Sequence, residues 1–393
     1  MLVHTLDALV DRYGLDGQRL GDVALGAVMK HASDWNLARE VVLGSKLSPL
    51  TPGLTLQRAC GTSLDAGIII ANRIAAGQIE AGVAGGSDTA SDIPLSYRRR
   101  LARRILATSR ARSFMDKLRA WKGFRPSELK PAFPAVKEPR TGLSMGEHTE
   151  RMAKEWGIGR EAQDEFAYQS HMKAARAWEA GFFDDLVTPY RGVERDNILR
   201  PDTSLEQLAK LNPAFDRTGS GTLTAGNSTP LSDGASCALL ASEDWARERG
   251  LPVKAYLTHG KVAAVDFVNG EGLLMAPTVA IAEMLGDAGL TLQDFDFYEI
   301  HEAFAAQVLC TLEAFRSERY CRERLGLDGA LGEIDPEKLN VNGSSLALGH
   351  PFAATGTRIL ATAAKLLEQK GAGRTLISIC TAGGMGVTAI LER

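Results

Sequence analysis

Two stretches of this chain, one towards each end, alternate short apolar runs with helix-spaced runs through turns of very small residues. That alternation leaves few folds open. In the first stretch, residues 23–28 and 54–57 predict buried strands, and 61–76 predict a helix. Ser63, Leu64, Ala66, Gly67, Ile70, Ala71 and Ile74 give that helix its small or apolar positions. A strand over 81–86 then runs into a glycine turn. In the second stretch, strands are predicted at 254–265, 295–300, 339–342, 376–380 and 387–391. Strands separated by helices of this length bury their apolar faces in a layered, mostly parallel α/β sheet. The turn-and-helix pattern after Cys60 echoes that after His350, as two related halves would.

The region between breaks this grammar. Residues 98–125 hold eleven Lys or Arg and one acid, Asp116, interleaved with Leu101, Ile105, Phe114, Leu118 and Trp121. This is the pattern of basic amphipathic helices, either a solvated face or a surface for phosphates, anionic lipid or an acidic partner. Residues 126–220 mix loops with helices at 147–155 and 160–179, so about 90–220 reads as an insertion into a first half spanning 1–245. The second half spans 250–393. A strand at 235–241 returns the chain to the sheet.

With 393 residues, 45% hydrophobic and 24% charged, the chain has ample length for a large core. A formal charge of -3 argues against nucleic acid as a partner. Five cysteines, odd in number and without a CxxC pair, point to a reducing compartment rather than a disulfide framework. No eighteen-residue apolar run occurs, and Leu2, Leu6, Leu9, Val10 and Tyr13 fall at helical spacing where a signal peptide would carry its marks. The expected location is the cytoplasm, with peripheral membrane contact through 98–125.

Against that framework, reactive side chains stand beside small residues at strand ends. Cys60, in Ala59-Cys60-Gly61-Thr62, sits where a strand gives way to a helix. Free N–H groups and the helix dipole at such a start favour a thiolate, and a neighbouring imidazole lowers a thiol pKa further. His350 is held between Gly349 and Pro351, a turn suited to a base. Cys380 ends a strand before Thr381-Ala382-Gly383-Gly384, where backbone amides can form an oxyanion hole. His301-Glu302-Ala303-Phe304 follows another strand. Ala305 stands where a zinc-binding HExxH motif has its second histidine, so no metal site is expected there.

Together with Thr224-Ala225-Gly226-Asn227-Ser228-Thr229, Asp233-Gly234-Ala235 and Asn342-Gly343-Ser344-Ser345, these segments resemble the thiolase superfamily over nearly the whole chain. HEAF, in place of NEAF, resembles the 3-ketoacyl-CoA thiolases of β-oxidation, including β-subunits of trifunctional complexes. The resemblance implies two α/β halves stacked as α/β/α/β/α layers with an inserted loop domain. It implies coenzyme A as cosubstrate and no bound cofactor. By position, Cys60 is the nucleophile, His350 its base and Cys380 the acid and base at carbon and CoA sulfur. His301 would hold a water that helps His350 steady the enolate, and the N–H groups of Cys60 and Ala382 form the oxyanion hole. Met145, Ser228 and Thr229 line the acyl-pantetheine region. A homodimer or dimer of dimers is implied, as is a hydratase/dehydrogenase α-subunit as a further partner.

Two departures carry expectations. Many thiolases have glycine where Ala382 stands. Family members also begin with a strand upstream of the first helix here, so the expectation is that this strand is missing, leaving ladder bonds unpaired. A downstream start codon or a truncated product would account for it. Other readings are a biosynthetic acetoacetyl-CoA thiolase, a ketoacyl synthase with two histidines or His/Asn in place of the second cysteine, and a catalytically weak lipid-binding or scaffold subunit.

Overall fold

The computed structural model describes residues 1–134 and 136–393. The first half opens with α1 (Leu2–Tyr13), β1 (Asp22–Gly26), α2 (Leu37–Leu43), β2 (Gly53–Leu56), α3 (Thr62–Ala75) and β3 (Ala81–Asp88). The helices α4 (Arg99–Arg110), α5 (Phe114–Ala120), α6 (Met145–Glu155), α7 (Arg160–Glu179) and α8 (Leu205–Ala209) follow. The chain then returns through β4 (Gly234–Ala241) and α9 (Glu243–Glu248). The second half comprises β5 (Tyr256–Ala264), α10 (Ala276–Ala288), β6 (Phe297–Ile300), α11 (Ala305–Arg316), α12 (Glu318–Leu325), α13 (Ser345–Leu348), α14 (Thr355–Lys370), β7 (Arg374–Thr381) and β8 (Met385–Glu392).

Two sheets form, ordered β2-β1-β3-β4 and β5-β8-β7-β6. In the first, β2, β1 and β3 are parallel and β4 runs against them. In the second, only β6 and β7 are parallel. The sheets are therefore mixed, a correction to the mostly parallel expectation. Periodicity identifies strands, but a strand carries no local mark of its neighbour's direction.

Alternation along each strand sorts its side chains between layers. Val23 and Leu25 of β1 face Leu6 and Val10 of α1 and Val41 and Val42 of α2. Ala24 between them turns to Ala66 and Ile70 of α3. In β8, Val387, Ala389 and Leu391 join Leu64 and Ile68 of α3 and Ile359, Leu360 and Ala363 of α14. Ile390 faces the opposite way, towards Ile281 and Leu285 of α10 and Val308 of α11. The layers thus run α1/α2, sheet, α3/α14, sheet, α10/α11. The two middle helices touch backbone to backbone: a Cβ on Gly356 would stand 2.2 Å from the Leu64 nitrogen. Only glycine permits that approach.

The strand expected at 339–342 is reduced to one bridge, Leu339 to Tyr298. Asn340 takes a positive φ of 44°. Its amide side chain accepts from the Ile300 N–H (2.8 Å) and donates to the Ile300 carbonyl (2.9 Å), replacing ladder bonds with side-chain ones. This bridge lies beside β6 as β2 lies beside β1, and β7 and β8 mirror β3 and β4. Within that correspondence β5, paired with β8, has no counterpart on β4 among the described residues. The outer edge of β4 instead borders a groove of about 1520 Å³, shared with α1, α14 and residues 185–198.

Candidate active site

The carboxyl ends of the parallel strands carry the chemistry, and the middle helices carry the turns that aim it. Cys60 lies four residues beyond β2, on the turn into α3. Ala59 before it has a φ of 44°, a left-handed conformation that costs a non-glycine residue about 1–2 kcal/mol. Thr62 braces the turn: its Oγ1 accepts from the Arg58 N–H (2.8 Å) and donates to the Ala59 carbonyl (2.7 Å). The result is a buried thiol at a helix start, with its own N–H and that of Ala382 acting to lower its pKa.

His350 comes from the matching turn into α14. Its Nε2 lies 3.0 Å from Cys60 Sγ and its Nδ1 2.6 Å from Thr355 Oγ1. The His350 N–H donates to Ser232 Oγ (3.0 Å). Asp88, ending β3, accepts from the N–H groups of Val28 (3.0 Å), Met29 (2.7 Å) and Ala353 (3.0 Å), so one carboxylate ties the first sheet to the His350 turn. Gly86 reinforces this contact, since a Cβ there would meet the Ala353 carbonyl oxygen at 2.3 Å.

From the second sheet come His301 and Cys380. The His301 N–H donates to the Ser378 carbonyl (2.8 Å), extending the β6–β7 ladder one residue and setting His301 beside the strand end that carries Cys380. Ser345 Oγ lies 2.7 Å from His301 Nδ1. The His301 and His350 rings lie with centroids 4.2 Å apart, tilted at 45° to one another. One donor atom each from Cys60, His301 and His350 falls within a 4.8 Å cluster. Glu302 faces away from the cluster and anchors its loop, accepting from Ser170 Oγ (2.7 Å), Asn340 Nδ2 (2.7 Å) and the Leu346 N–H (3.1 Å).

Desolvation dominates the electrostatics of the site. Burial pushes the Cys60 thiol up to about 12, against the lowering pull of the Ala382 and Cys60 N–H donors. Burial, and secondarily the Arg358 guanidinium, push His350 down to about 3. Burial and then Cys60 raise Cys380 as well. This corrects the expected low thiol pKa. Removing a thiolate from water costs more than two amide donors and a partial helix charge return. Cys60 Sγ and His350 Nε2, 3.0 Å apart, stand where a proton could pass from thiol to imidazole.

Met145 packs at the edge of an apolar wall that contains Phe304, Met275 and Cys380. Ser228 bridges to Phe304, and its buried Oγ has no partner among the described residues. The Thr229 hydroxyl is committed, donating to the Ser345 carbonyl (2.7 Å). Sequence reasoning missed Thr355, Asp88 and Arg358. Thr355, five residues after His350, carried the one local signal.

Residues 1–244 match the family model of the thiolase N-terminal domain, and 251–393 match that of the thiolase C-terminal domain. The chain belongs to the thiolase family. As a thiolase it is an acyltransferase, consistent with a thiol and an imidazole in contact. It is 42% identical over 390 residues to the 3-ketoacyl-CoA thiolases of Pectobacterium atrosepticum and of Yersinia pestis, covering 98% of this chain and 89% of each relative. The fold is similar to the acetyl-CoA acetyltransferase of Bacillus anthracis, with TM-score 0.80 and 31% identity over 99% of this chain and 91% of that one. It is equally similar to human mitochondrial 3-ketoacyl-CoA thiolase in complex with CoA, with TM-score 0.80 and 29% identity over 99% and 90%.

Proposed function

We propose that this thiolase cleaves 3-ketoacyl-CoA with CoA, giving acetyl-CoA and an acyl-CoA two carbons shorter, in fatty-acid β-oxidation. The observation that carries the reading is the 3.0 Å contact between Cys60 Sγ and His350 Nε2, two residues 290 positions apart. Cys60 attacks the 3-keto carbon as its proton passes to His350, and the developing oxyanion meets the N–H groups of Cys60 and Ala382. The C2–C3 bond breaks, leaving an acyl group on Cys60 and an acetyl-CoA enolate. Cys380 gives its proton to C2, acetyl-CoA departs, and the Cys380 thiolate takes the proton of incoming CoA. The CoA thiolate attacks the acyl-enzyme and expels Cys60. His301 and His350 steady the enolate oxygen, and Met145, Ser228 and Thr229 border the acyl-pantetheine path.

The similarity to 3-ketoacyl-CoA thiolases and the HEAF segment support degradation over acetoacetyl-CoA synthesis. Cys380 supports thiolysis over a ketoacyl synthase's decarboxylating condensation. The decisive assay is CoA-dependent cleavage of acetoacetyl-CoA and longer 3-ketoacyl-CoAs by wild type and Cys60→Ser. Unchanged thiolysis in the variant would sink the assignment.

CoA and acyl-CoA are the small-molecule partners, with CoA a cosubstrate. A homodimer or dimer of dimers follows by kinship. Among the described residues, no helix is long and apolar enough to cross a membrane. The α4–α5 hairpin buries one side chain, Leu101, and exposes Phe114, Met115 and Leu118 among its arginines and lysines. Such a surface suits a cytoplasmic enzyme that touches anionic lipid or a hydratase/dehydrogenase α-subunit. Vesicle or α-subunit binding that ignored salt and charge reversal there would count against this role.

A further inference from the structure

Behind His301 lies a half-buried cation that the reaction does not touch. Arg358, on the first turn of α14, donates from Nη2 to Ser345 Oγ (2.8 Å), the same oxygen that meets His301 Nδ1 at 2.7 Å. Its Nε is buried without a partner, and no carboxylate pairs with it at ion-pair distance among the described residues. A guanidinium has only donors, so Ser345 Oγ accepts from it. Ser345 then has one hydrogen to place, and His301 Nδ1 is its available acceptor among the described residues. Were the proton on Nδ1 instead, the serine hydrogen would be buried with no acceptor.

We infer that Ser345 and Arg358 are positioning residues that fix His301 in its Nε2–H tautomer, opposite to that of His350. His350 needs a bare Nε2 to receive the Cys60 proton, so its own hydrogen sits on Nδ1 and goes to Thr355. The two neighbouring rings would then divide their labour: one faces the reaction as acceptor, the other as donor. His301 Nε2 is buried with no partner in the protein, as a donor kept for a substrate oxygen would be. The guanidinium also helps burial hold both rings neutral, which leaves each with one donor and one acceptor nitrogen. The inference rests on the proposed service of His301 to the thioester oxygen.

The test is nitrogen NMR of histidine-labelled protein together with steady-state thiolysis, on wild type, Ser345→Ala, Arg358→Met, Arg358→Lys and His301→Ala. The His301→Ala variant assigns the His301 signals. Wild type and Arg358→Lys should show the pure Nε2–H form. Ser345→Ala and Arg358→Met should show mixed or Nδ1–H forms. In these two, kcat should fall about 10–100-fold, the usual scale for residues that orient a reacting group, while KM for CoA stays put. A role in stability alone would leave the tautomer unmoved. Ser345→Ala removes one oxygen and carries the test if Arg358→Met fails to fold. Retention of Nε2–H in Ser345→Ala, or a shifted tautomer with unchanged kcat, overturns the inference. Wild-type kcat in His301→Ala, which keeps no side-chain donor, would instead remove the oxyanion role of His301, with the relay still judged by the tautomer.

Discussion

Thr355→Val isolates the orientation of the base from its presence. The swap conserves shape but removes the Oγ1 that lies 2.6 Å from His350 Nδ1 in a buried site. A buried N–H left without an acceptor costs about 1–3 kcal/mol. The variant has two ways to respond. If His350 keeps its tautomer, the cost appears as lost stability, about 1–4 °C in Tm for a chain of this size. If the hydrogen moves to Nε2, it points at Cys60 and the ring can no longer receive the thiol proton. At about 1.4 kcal/mol per tenfold, the same energy then appears as a roughly 5- to 150-fold loss in kcat/KM. The two losses trade against each other, so they should be measured on one preparation: thiolysis of acetoacetyl-CoA, iodoacetamide trapping of Cys60 at neutral pH, and thermal melting. A variant within twofold of wild type in rate and alkylation, and unshifted in Tm, would refute the claim that Thr355 orients the base.

Four further outcomes follow from particular contacts. Gly356→Ala sets a Cβ 2.2 Å from the Leu64 nitrogen, so α3 and α14 must separate; kcat should drop at least about tenfold while helical circular dichroism is retained. Glu299 is buried, has an oxygen without a partner, and burial raises its carboxyl to about 8. A raised carboxyl keeps its proton in the folded state, so its contribution is intact below the unfolded value and is lost as pH rises towards 8. Glu299→Gln should therefore match wild type near pH 4 and exceed it at pH 8 by up to about 4 kcal/mol, and equal denaturation midpoints at pH 8 would count against it. His171 and His350 are pushed down by burial to about 4 and about 3. The unfolded chain binds their protons first, so stability should fall as pH drops below about 6.5, and His171→Asn should flatten that slope. Among the described residues, amides on the outer edge of β4 have no strand partner, so in hydrogen exchange they should lose protection well before those of β3.

Where a residue's role depends on its immediate neighbours in the chain, the sequence was readable. Cys60, Cys380 and His301 each sit at or just past a strand end, whereas His350, expected at a strand end too, sits in the turn between α13 and α14; in each case the turn that presents the side chain is written within a few positions. The apolar alternation of β1 and β8 likewise sorts their side chains between layers. The segment at 339–342 was misread because its apolar ends imitate a strand, whereas Asn340 supplies ladder bonds from its side chain. Thr355, Asp88 and Arg358 were missed because their meaning lies in partners. A threonine opening a helix is ordinary until an imidazole lies 2.6 Å away.

The sequence alone determined the family, the two-halved α/β layering and the candidate reactive groups. These depend on local geometry and on side-chain chemistry that no fold can alter. Only the tertiary structure decided their state. It brought residues 290 positions apart to 3.0 Å and sealed thiol and imidazole from water, reversing the direction of pKa shift that a helix start alone implies. It also put a guanidinium behind a serine behind a histidine. Desolvation and hydrogen-bond direction belong to the packed interior, and the interior exists only once both halves have closed on the same pair of helices.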